Sequence, residues 1–272
     1  MTNKLIIVEG LPCSGKSTTA KFIADQLGFS FIDEGTGNHP SDYECHAYLT
    51  DNDLKIFSDS ERNQIAENCE IKSGGYIVKL ENFNNKLFEK LLKYKIYDFL
   101  PWEKEKPVML NKWREFVQNY GDNRYVFNCV FLQNPMCETM MRFGFSKEVS
   151  FTHIAEIAEI IKPLAPVIVY LKNNDVYDSV KKASAARGDE WLRAVIDYHC
   201  EGEYGKQHKL TGFEGYINAL KERQQREIDI LSKLDIEIIV LDNPQHDWNK
   251  VYSELITKLR IIGEKNDNFT CN

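Results

Sequence analysis

Gly10-Leu11-Pro12-Cys13-Ser14-Gly15-Lys16-Ser17 decides the fold, because it matches the pattern G-x-x-x-x-G-K-[ST] at every position. Glycines let the backbone turn so that successive N–H groups point at phosphate oxygens, and the start of a helix adds partial positive charge. Lys16 supplies a mobile cation for the β- and γ-phosphates, and the Ser17 hydroxyl is a suitable oxygen ligand for Mg²⁺. The segment therefore predicts binding of ATP and Mg²⁺ by Gly10, Leu11, Pro12, Cys13, Ser14, Gly15, Lys16, Ser17 and Thr18.

The residues on either side of this segment place it between a strand and a helix. Leu5–Val8 is a short, uninterrupted apolar run, which is typical of a strand buried on both faces. Lys16–Leu27 has an amphipathic helical pattern, and Gly28 is suited to end that helix. Phe29–Asp33 is then a second strand, so the chain opens with a βαβ unit whose crossover should be right-handed.

Strand candidates alternate with helical segments along the rest of the chain. We predict one domain over residues 1–272, an α/β fold with a doubly wound parallel sheet of five strands. The predicted strands are Leu5–Val8, Phe29–Asp33, Tyr125–Leu132, Pro166–Leu171 and Ile236–Leu241. The later predicted helices are Phe151–Ile161, Asp175–Ala186, Glu190–His199, Tyr216–Leu234 and Trp248–Ile262.

Residues 35–123 do not continue this alternation. One short strand is predicted within Gly74–Leu80, and helices over Asn82–Tyr97 and Trp102–Tyr120, with Pro101 and Pro107 near helix starts. We interpret the stretch as a mostly helical insertion that caps the substrate side. An unrelated packing module is the alternative.

Composition and charge disfavour several classes of protein. The chain has 272 residues and a net charge of −7 with no long basic block, which argues against a nucleic-acid partner. Its seven cysteines include no pair at C-x-x-C spacing, as expected for free thiols in a reducing cytoplasm. No apolar run approaches the length of a membrane span, and no signal peptide is evident at the first residues. A cytoplasmic location is therefore expected.

The sequence leaves the oligomeric state open, with a homodimer as one option.

Val8-Glu9-Gly10 through Ser17-Thr18-Thr19-Ala20 resembles the opening of the P-loop kinases, especially the thymidylate and deoxynucleoside kinases. Phe131–Pro135 and Phe213–Gly215 are similar to segments of uncharacterised bacterial P-loop proteins described as ATP-binding. The resemblance implies that an acid at the end of the second strand serves as the base. We assign this role to Glu34, with Asp33 as the other candidate; a solvated strand end is the alternative.

Two further groups are candidates for contact with the substrate. His39, Asp42, Tyr43 and Glu44 follow the second strand in a polar, aromatic loop, for which an ordinary structural loop is the alternative. Gln133 and Asn134 end the predicted third strand, where P-loop enzymes often place an aspartate that holds Mg²⁺ through water. Neutral amides can orient an acceptor but supply no charge. The metal role would then pass to Asp33, Glu34 or Glu9.

Residues 175–212 are the candidate for a LID, a segment that closes over the phosphates in kinases of this class. We propose Arg187 and Arg193 as its arginines, because guanidinium groups match phosphate oxygens. Surface charges on helices are the alternative. Arg223 and Arg226, three residues apart on a long helix, are expected to form salt bridges.

Three functions are compatible with these features. The preferred one is a kinase that transfers the γ-phosphate of ATP to a small-molecule acceptor such as a nucleoside, nucleotide, sugar or hydroxylated antibiotic. The second is a regulatory P-loop ATPase or nucleotide switch that acts on a protein partner. The third is a kinase acting on a nucleic-acid end, which the acidic composition disfavours.

Overall fold

The computed structural model describes residues 3–84 and 86–269. The chain divides into two compact units, the first formed by Met1–Asp33 with Tyr120–Asn272 and the second by Glu34–Asn119. The strands are β1 (Leu5–Gly10), β2 (Ser30–Ile32), β3 (His46–Leu49), β4 (Cys69–Lys72), β5 (Gly75–Lys79), β6 (Tyr125–Asn128), β7 (Val167–Lys172) and β8 (Glu237–Asp242). The α-helices are α1 (Lys16–Leu27), α2 (Asp51–Leu54), α3 (Asp59–Glu67), α4 (Lys86–Leu92), α5 (Trp102–Asn119), α6 (Gln133–Met136), α7 (Lys147–Ile161), α8 (Val176–Arg187), α9 (Asp189–Glu201), α10 (Glu203–Gln207), α11 (Gly212–Leu231) and α12 (Trp248–Phe269).

The first unit contains a five-stranded sheet in the order β2-β6-β1-β7-β8, and every neighbouring pair is parallel. All residues of β1 are buried, so its apolar run reflects a strand covered on both faces. On one face, Ile6 and Val8 pack in a core with Ile23 of α1 and Leu255 of α12. The predicted doubly wound α/β fold with a five-stranded parallel sheet is confirmed.

One strand boundary was predicted wrongly. β6 ends at Asn128 and does not continue to Leu132. Cys129 and Val130 have φ angles of 61° and 75°, in the left-handed region, so the extended backbone stops there. The residue at the carboxyl end of this strand is therefore Asn128, whereas Gln133 and Asn134 open the short helix α6.

The second unit has a sheet of its own. β3, β5 and β4 pair antiparallel in that order, and the predicted strand within Gly74–Leu80 corresponds to β5. The helix predicted over Asn82–Tyr97 is limited to α4, while α5 matches the prediction closely and contains Pro107 within it. The unit is largely helical and has a core of its own, built from Leu49, Phe57, Ile65, Val78, Leu87 and Leu91 among others.

Helices α2 and α3 begin with the same local device. Thr50 and Ser58 are N-cap residues whose hydroxyls accept a hydrogen bond from the backbone N–H three residues later. In return, the carboxylates of Asp53 and Glu61 accept hydrogen bonds from the backbone N–H groups of Thr50 and Ser58. Such capping boxes satisfy backbone donors that a helix start leaves open. No helix in residues 3–84 and 86–269 is both long and apolar enough to cross a membrane.

Candidate active site

The phosphate loop runs from the end of β1 to the start of α1, and two of its glycines are required by geometry. Gly10 has φ 145°, and a Cβ there would lie 2.7 Å from the carbonyl oxygen of Leu171. Gly15 has φ 92° at the N-cap of α1, and a Cβ would lie 2.9 Å from ring carbons of Trp248. The loop therefore approaches β7 and α12 more closely than a larger residue allows.

Two polar side chains of the loop are turned onto the loop itself. Lys16 is 7% exposed, and its Nζ donates a hydrogen bond of 3.0 Å to the Leu11 carbonyl. The Ser14 hydroxyl is buried and has no hydrogen-bond partner among the described residues. A buried hydroxyl without a partner carries a free-energy penalty that a bound acceptor relieves. This donor set of hydroxyl, ammonium and helix N-terminus fits a phosphate group.

Asn128 lies where β6 ends and joins two predicted site residues. Its side-chain Nδ2 donates 2.9 Å to Ser17 Oγ and 2.6 Å to Asp33 Oδ1. Asn128 is fully buried, so this amide is held in one place. The structure therefore brings the Asp33 carboxylate next to the first turn of α1. Glu34 begins the second unit, and its role stays a prediction.

Glu9, just before the loop, holds the turn that follows β6. Its carboxylate oxygens accept hydrogen bonds from the backbone N–H groups of Phe131, Leu132 and Gln133 at 2.8, 2.8 and 3.3 Å. Glu9 is fully buried, and burial raises its pKa to about 7, against the opposing effect of the hydrogen bond from the Leu132 N–H. The three hydrogen bonds tie Glu9 to the turn after β6, and its role as a metal ligand stays a prediction.

A buried ionic network lies in the same unit. Arg223 Nε donates 2.6 Å to Glu227 Oε1, and the Tyr170 hydroxyl donates 2.6 Å to Glu227 Oε2. Arg226 pairs with Glu222 at 2.9 Å, so both arginines form the salt bridges that their spacing predicted. The charges of Glu227 and Arg223 reach the Glu9 carboxyl, where the first raises the pKa and the second lowers it. The network thus connects α11 electrostatically with the residue before the phosphate loop.

The two candidate LID arginines are both exposed, and their surroundings differ. Arg187, at the end of α8, has its guanidinium 4.9 Å from the Trp191 ring centroid. Its charge lowers the pKa of the Cys13 thiol in the phosphate loop, although burial raises that pKa overall. No such effect on the loop is seen for Arg193, which lies on α9.

The predicted substrate-contact loop lies in the second unit, where its side chains contact other residues of that unit. Asp42 accepts hydrogen bonds from the Tyr97 hydroxyl and the Glu44 N–H, and Glu44 accepts from the Gly35 N–H at 2.7 Å. His39 and Tyr43 are 5% and 2% exposed. Their substrate role stays a prediction, as does that of Gln133 and Asn134, whose assumed position at a strand end was wrong.

The described residues contain no group of three or more His, Cys, Asp or Glu side chains that could hold a metal by themselves. Ser17 and Asp33, which share the Asn128 amide, provide a hydroxyl and a carboxylate oxygen. Mg²⁺ prefers oxygen ligands and is usually held by one or two protein groups together with substrate phosphates and water. This donor set fits such a metal.

Sequence reasoning missed two residues of the site. Asn128 was read as an interior strand residue, because the apolar run continues past it to Leu132. Trp248 was placed only at a helix start, yet its ring closes against Gly15 and lies 5.2 Å from the ring of Tyr252. The sequence did contain a signal for Asn128. It is a single amide in an apolar strand, and burying such a group without a hydrogen-bond partner is unfavourable, which indicates a specific polar contact.

Together, the fold and the loop define the class of protein. A parallel sheet with strands in the order second-third-first-fourth-fifth along the unit, with a phosphate loop leading from its central strand into α1, is a P-loop NTPase fold of the kinase-like kind. No protein-family model and no curated protein matches the sequence.

Solved structures that are similar to the chain include kinases. The chain is similar to the YorR protein from Bacillus subtilis in complex with phosphorylated GDP, at 16% identity over 96% of this chain and 98% of that chain, with a TM-score of 0.45. It is similar to deoxyadenosine kinase from M. mycoides with bound dATP, at 14% identity over 94% of this chain and 99% of that chain, with a TM-score of 0.44. It is also similar to thymidylate kinase from Candida albicans, at 14% identity over 98% of this chain and 93% of that chain, with a TM-score of 0.41. With TM-scores below 0.5, the substrate has to be inferred from this chain's own residues.

Proposed function

We propose that the chain is an ATP-dependent phosphotransferase that moves the γ-phosphate of ATP to a small hydroxylated or phosphorylated acceptor. The observation that carries the proposal is the arrangement around Asn128, whose amide holds the Asp33 carboxylate beside Ser17 at the start of α1. Phosphoryl transfer needs groups that bind the phosphates and a carboxylate next to them. The start of α1, with Ser17, would bind the phosphates, and Asp33 would supply the carboxylate. Nucleosides, nucleotides, sugars and hydroxylated antibiotics are the acceptors to test.

The loop residues take the phosphate-binding roles. The N–H groups at the start of α1, the Ser14 hydroxyl and the Lys16 ammonium would hold the β- and γ-phosphates. Lys16 would exchange its bond to the Leu11 carbonyl for bonds to phosphate oxygens. Ser17 and Asp33 would hold Mg²⁺, which when bound neutralises charge on the phosphate oxygens.

A carboxylate must also act as the base that receives the proton of the acceptor hydroxyl. As the acceptor oxygen bonds to the γ-phosphorus, the bond to the β–γ bridging oxygen breaks and ADP leaves. We assign the base to Glu34 if Asp33 is committed to the metal, and to Asp33 otherwise. Arg187 would stabilise the charge of the transferring group, since its own charge already reaches Cys13 in the loop. Arg193 is proposed in the same role on sequence grounds alone.

The test is an ADP-release screen with ATP, Mg²⁺ and a panel of nucleosides, nucleotides, sugars and aminoglycosides. We expect at least one acceptor to raise ADP release well above the basal rate, and Lys16→Ala to abolish both that rate and thermal stabilisation by ATP with Mg²⁺. Lys21→Ala, on the exposed face of α1, is the matched control and should keep both.

Two results would overturn the proposal in different ways. If ATP stabilises the protein but no acceptor raises turnover, the alternative of a regulatory ATPase with a protein partner gains support. If Lys16→Ala is stabilised by ATP as strongly as the unmodified protein, the nucleotide does not bind at the phosphate loop, and the assigned roles fall together.

A further inference from the structure

The second unit contains a cavity of about 400 Å³, whose lining includes the candidate substrate-contact residues His39 and Tyr43. Every residue that lines it belongs to Glu34–Asn119, so it is complete within that unit. Its volume falls in the range of small-molecule sites, about 300–1,000 Å³. Its lining is mainly polar and includes the side-chain amides of Asn38, Asn68 and Asn82.

Lys112, on α5, is one of the charged residues that line this cavity. Its ammonium lies 4.3 Å from the centroid of the Tyr43 ring, and it has no ion-pair partner in the part of the chain that the structure describes. The side chain is partly buried, and burial, with Lys72 nearby, lowers its pKa, although the charges of Glu115, Glu70 and Asp42 act in the opposite direction. An ammonium in this setting gains more from a bound anion than one exposed to water.

The other charges that line the cavity are largely paired. Lys79 forms an ion pair with Glu81, and Glu70 forms one with Lys72 at 2.7 Å. Glu67, the remaining charged residue of the lining, is exposed. Lys112 is therefore left as the cation available inside the cavity.

Two imidazoles line the cavity near Lys112, and both are neutral near pH 7. Burial, reinforced by the Lys112 charge, lowers the pKa of His39 to about 3 and that of His46 to about 4. His39 Nδ1 accepts a hydrogen bond of 3.2 Å from the Ser41 N–H, which places the hydrogen of the neutral ring on Nε2. Each neutral ring can donate one hydrogen bond without adding charge.

The Tyr43 hydroxyl is a buried polar group of this cavity without a hydrogen-bond partner among the described residues. Its side chain is 2% exposed and lines the cavity, yet its hydroxyl makes no hydrogen bond to any residue within 3–84 and 86–269. His46 Nδ1 is likewise buried without a hydrogen-bond partner in that range. Buried polar groups left unpaired are unfavourable, and they are satisfied when a ligand binds.

We propose that this cavity is a binding site for a small organic anion, whose carboxylate or phosphate group pairs with Lys112 and accepts a hydrogen bond from the Tyr43 hydroxyl. The imidazoles and the three asparagine amides would bond to the polar body of the ligand. No residue of the phosphate loop lines this site, and anion binding here can be measured without kinase turnover.

The experiment titrates the whole protein with citrate and, separately, with inorganic phosphate, and follows the imidazole NMR signals of His39 and His46. We expect a saturable shift of both signals, because a bound anion offsets the Lys112 charge that they sense. The affinity should fall by about tenfold or more in Lys112→Met, which keeps the aliphatic length but removes the charge. Tyr43→Phe keeps the ring beneath Lys112 and should weaken binding by a smaller factor.

Two controls separate this site from others. Lys93→Met removes an exposed lysine of the same unit and should leave the anion affinity unchanged. Lys16→Ala should also leave it unchanged, and this variant distinguishes the cavity from the phosphate loop. Preference for citrate would assign a polycarboxylate, and preference for phosphate a phosphate ester.

The proposal is overturned if neither anion gives a saturable shift below about 10 mM. It is equally overturned if Lys112→Met binds as tightly as the unmodified protein, or if binding is lost in Lys16→Ala and kept in Lys112→Met. The last result would place the anion at the phosphate loop. None of these outcomes bears on whether ATP is turned over, so the two proposals can fail independently.

Discussion

The side-chain amide of Asn128 donates a 2.6 Å hydrogen bond to the Asp33 carboxylate. Both residues lie at the carboxyl ends of neighbouring strands, since β2 pairs with β6 in parallel. The amide thus compensates a carboxylate beside the phosphate loop without adding charge of its own. An aspartate in place of Asn128 would instead set two carboxylates against each other.

Asn128→Asp should therefore destabilise the protein, by about 2 kcal/mol or more at neutral pH, because two carboxylates at hydrogen-bond distance repel. The pair would share a proton with a raised pKa, so the loss should be small in acid and grow as pH rises. Mg²⁺ should reduce the loss by binding between the two acids. Urea unfolding at several pH values, with and without Mg²⁺, measures this, and Asn218→Asp on the exposed face of α11 is the control. A loss independent of pH would contradict the reading.

Glu9 should make stability depend on pH. Burial raises its pKa in the folded chain to about 7, well above the ordinary value for a glutamate. The folded state therefore binds the proton more tightly, so the Glu9 contribution is fully present below the unfolded pKa and is lost as pH rises through about 7. The free energy of unfolding of the unmodified protein, minus that of Glu9→Gln, should fall across this window by up to about 3 kcal/mol.

Urea unfolding at closely spaced pH values gives this difference directly. Glu237→Gln, at an exposed position of β8, should show no such trend. A difference that rises with pH would mean that the three backbone donors to Glu9 outweigh its burial, and that the carboxylate is ionised in the folded protein.

Gly15→Ala should cost more stability than Gly28→Ala. Both glycines have positive φ, 92° and 67°, so each alanine carries a backbone penalty of about 1–2 kcal/mol. Only at Gly15 would the new Cβ also meet a side chain, the Trp248 ring at 2.9 Å, whereas nothing lies within 4 Å at Gly28. Urea midpoints compare the two. Adding Trp248→Ala should lessen the effect of Gly15→Ala, and equal costs for the two single variants would refute the contact.

Arg187→Ala should slow the alkylation of Cys13. The Arg187 charge lowers the pKa of this thiol against the effect of burial, so removing it decreases the thiolate fraction that reacts. Peptide-level mass spectrometry of iodoacetamide labelling resolves Cys13 from the other cysteines. Arg193→Ala should leave the Cys13 rate unchanged. If both variants slow the reaction equally, Arg187 has no special position near the loop.

The first βαβ unit and the five-stranded sheet could be predicted, because continuous apolar runs and a glycine-rich loop report strongly on buried parallel strands. The end of β6 could not, since Cys129 and Val130 are residue types common in strands, yet both have left-handed backbone in this structure. The three residues after them donate backbone hydrogen bonds to the Glu9 carboxylate, a long-range contact that a local pattern does not show. Strands β3 and β4 were missed because four-residue strands with mixed polarity resemble loops. The salt bridges of Arg223 and Arg226 could be predicted from the sequence, because residues three or four apart on one helix lie close enough to pair.

The pairing of β2 with β6 bears on how the chain acquires its structure. Ser30 pairs with Tyr125, and in the sequence all residues of the second unit come between these two strands. Closing a flexible loop of that length carries an entropy cost that slows folding, and a segment with its own hydrophobic core reduces it. We therefore expect the amides of β3 and β5 to gain protection from hydrogen exchange before those of β2 during refolding. Simultaneous protection would indicate that the two units assemble in one cooperative step.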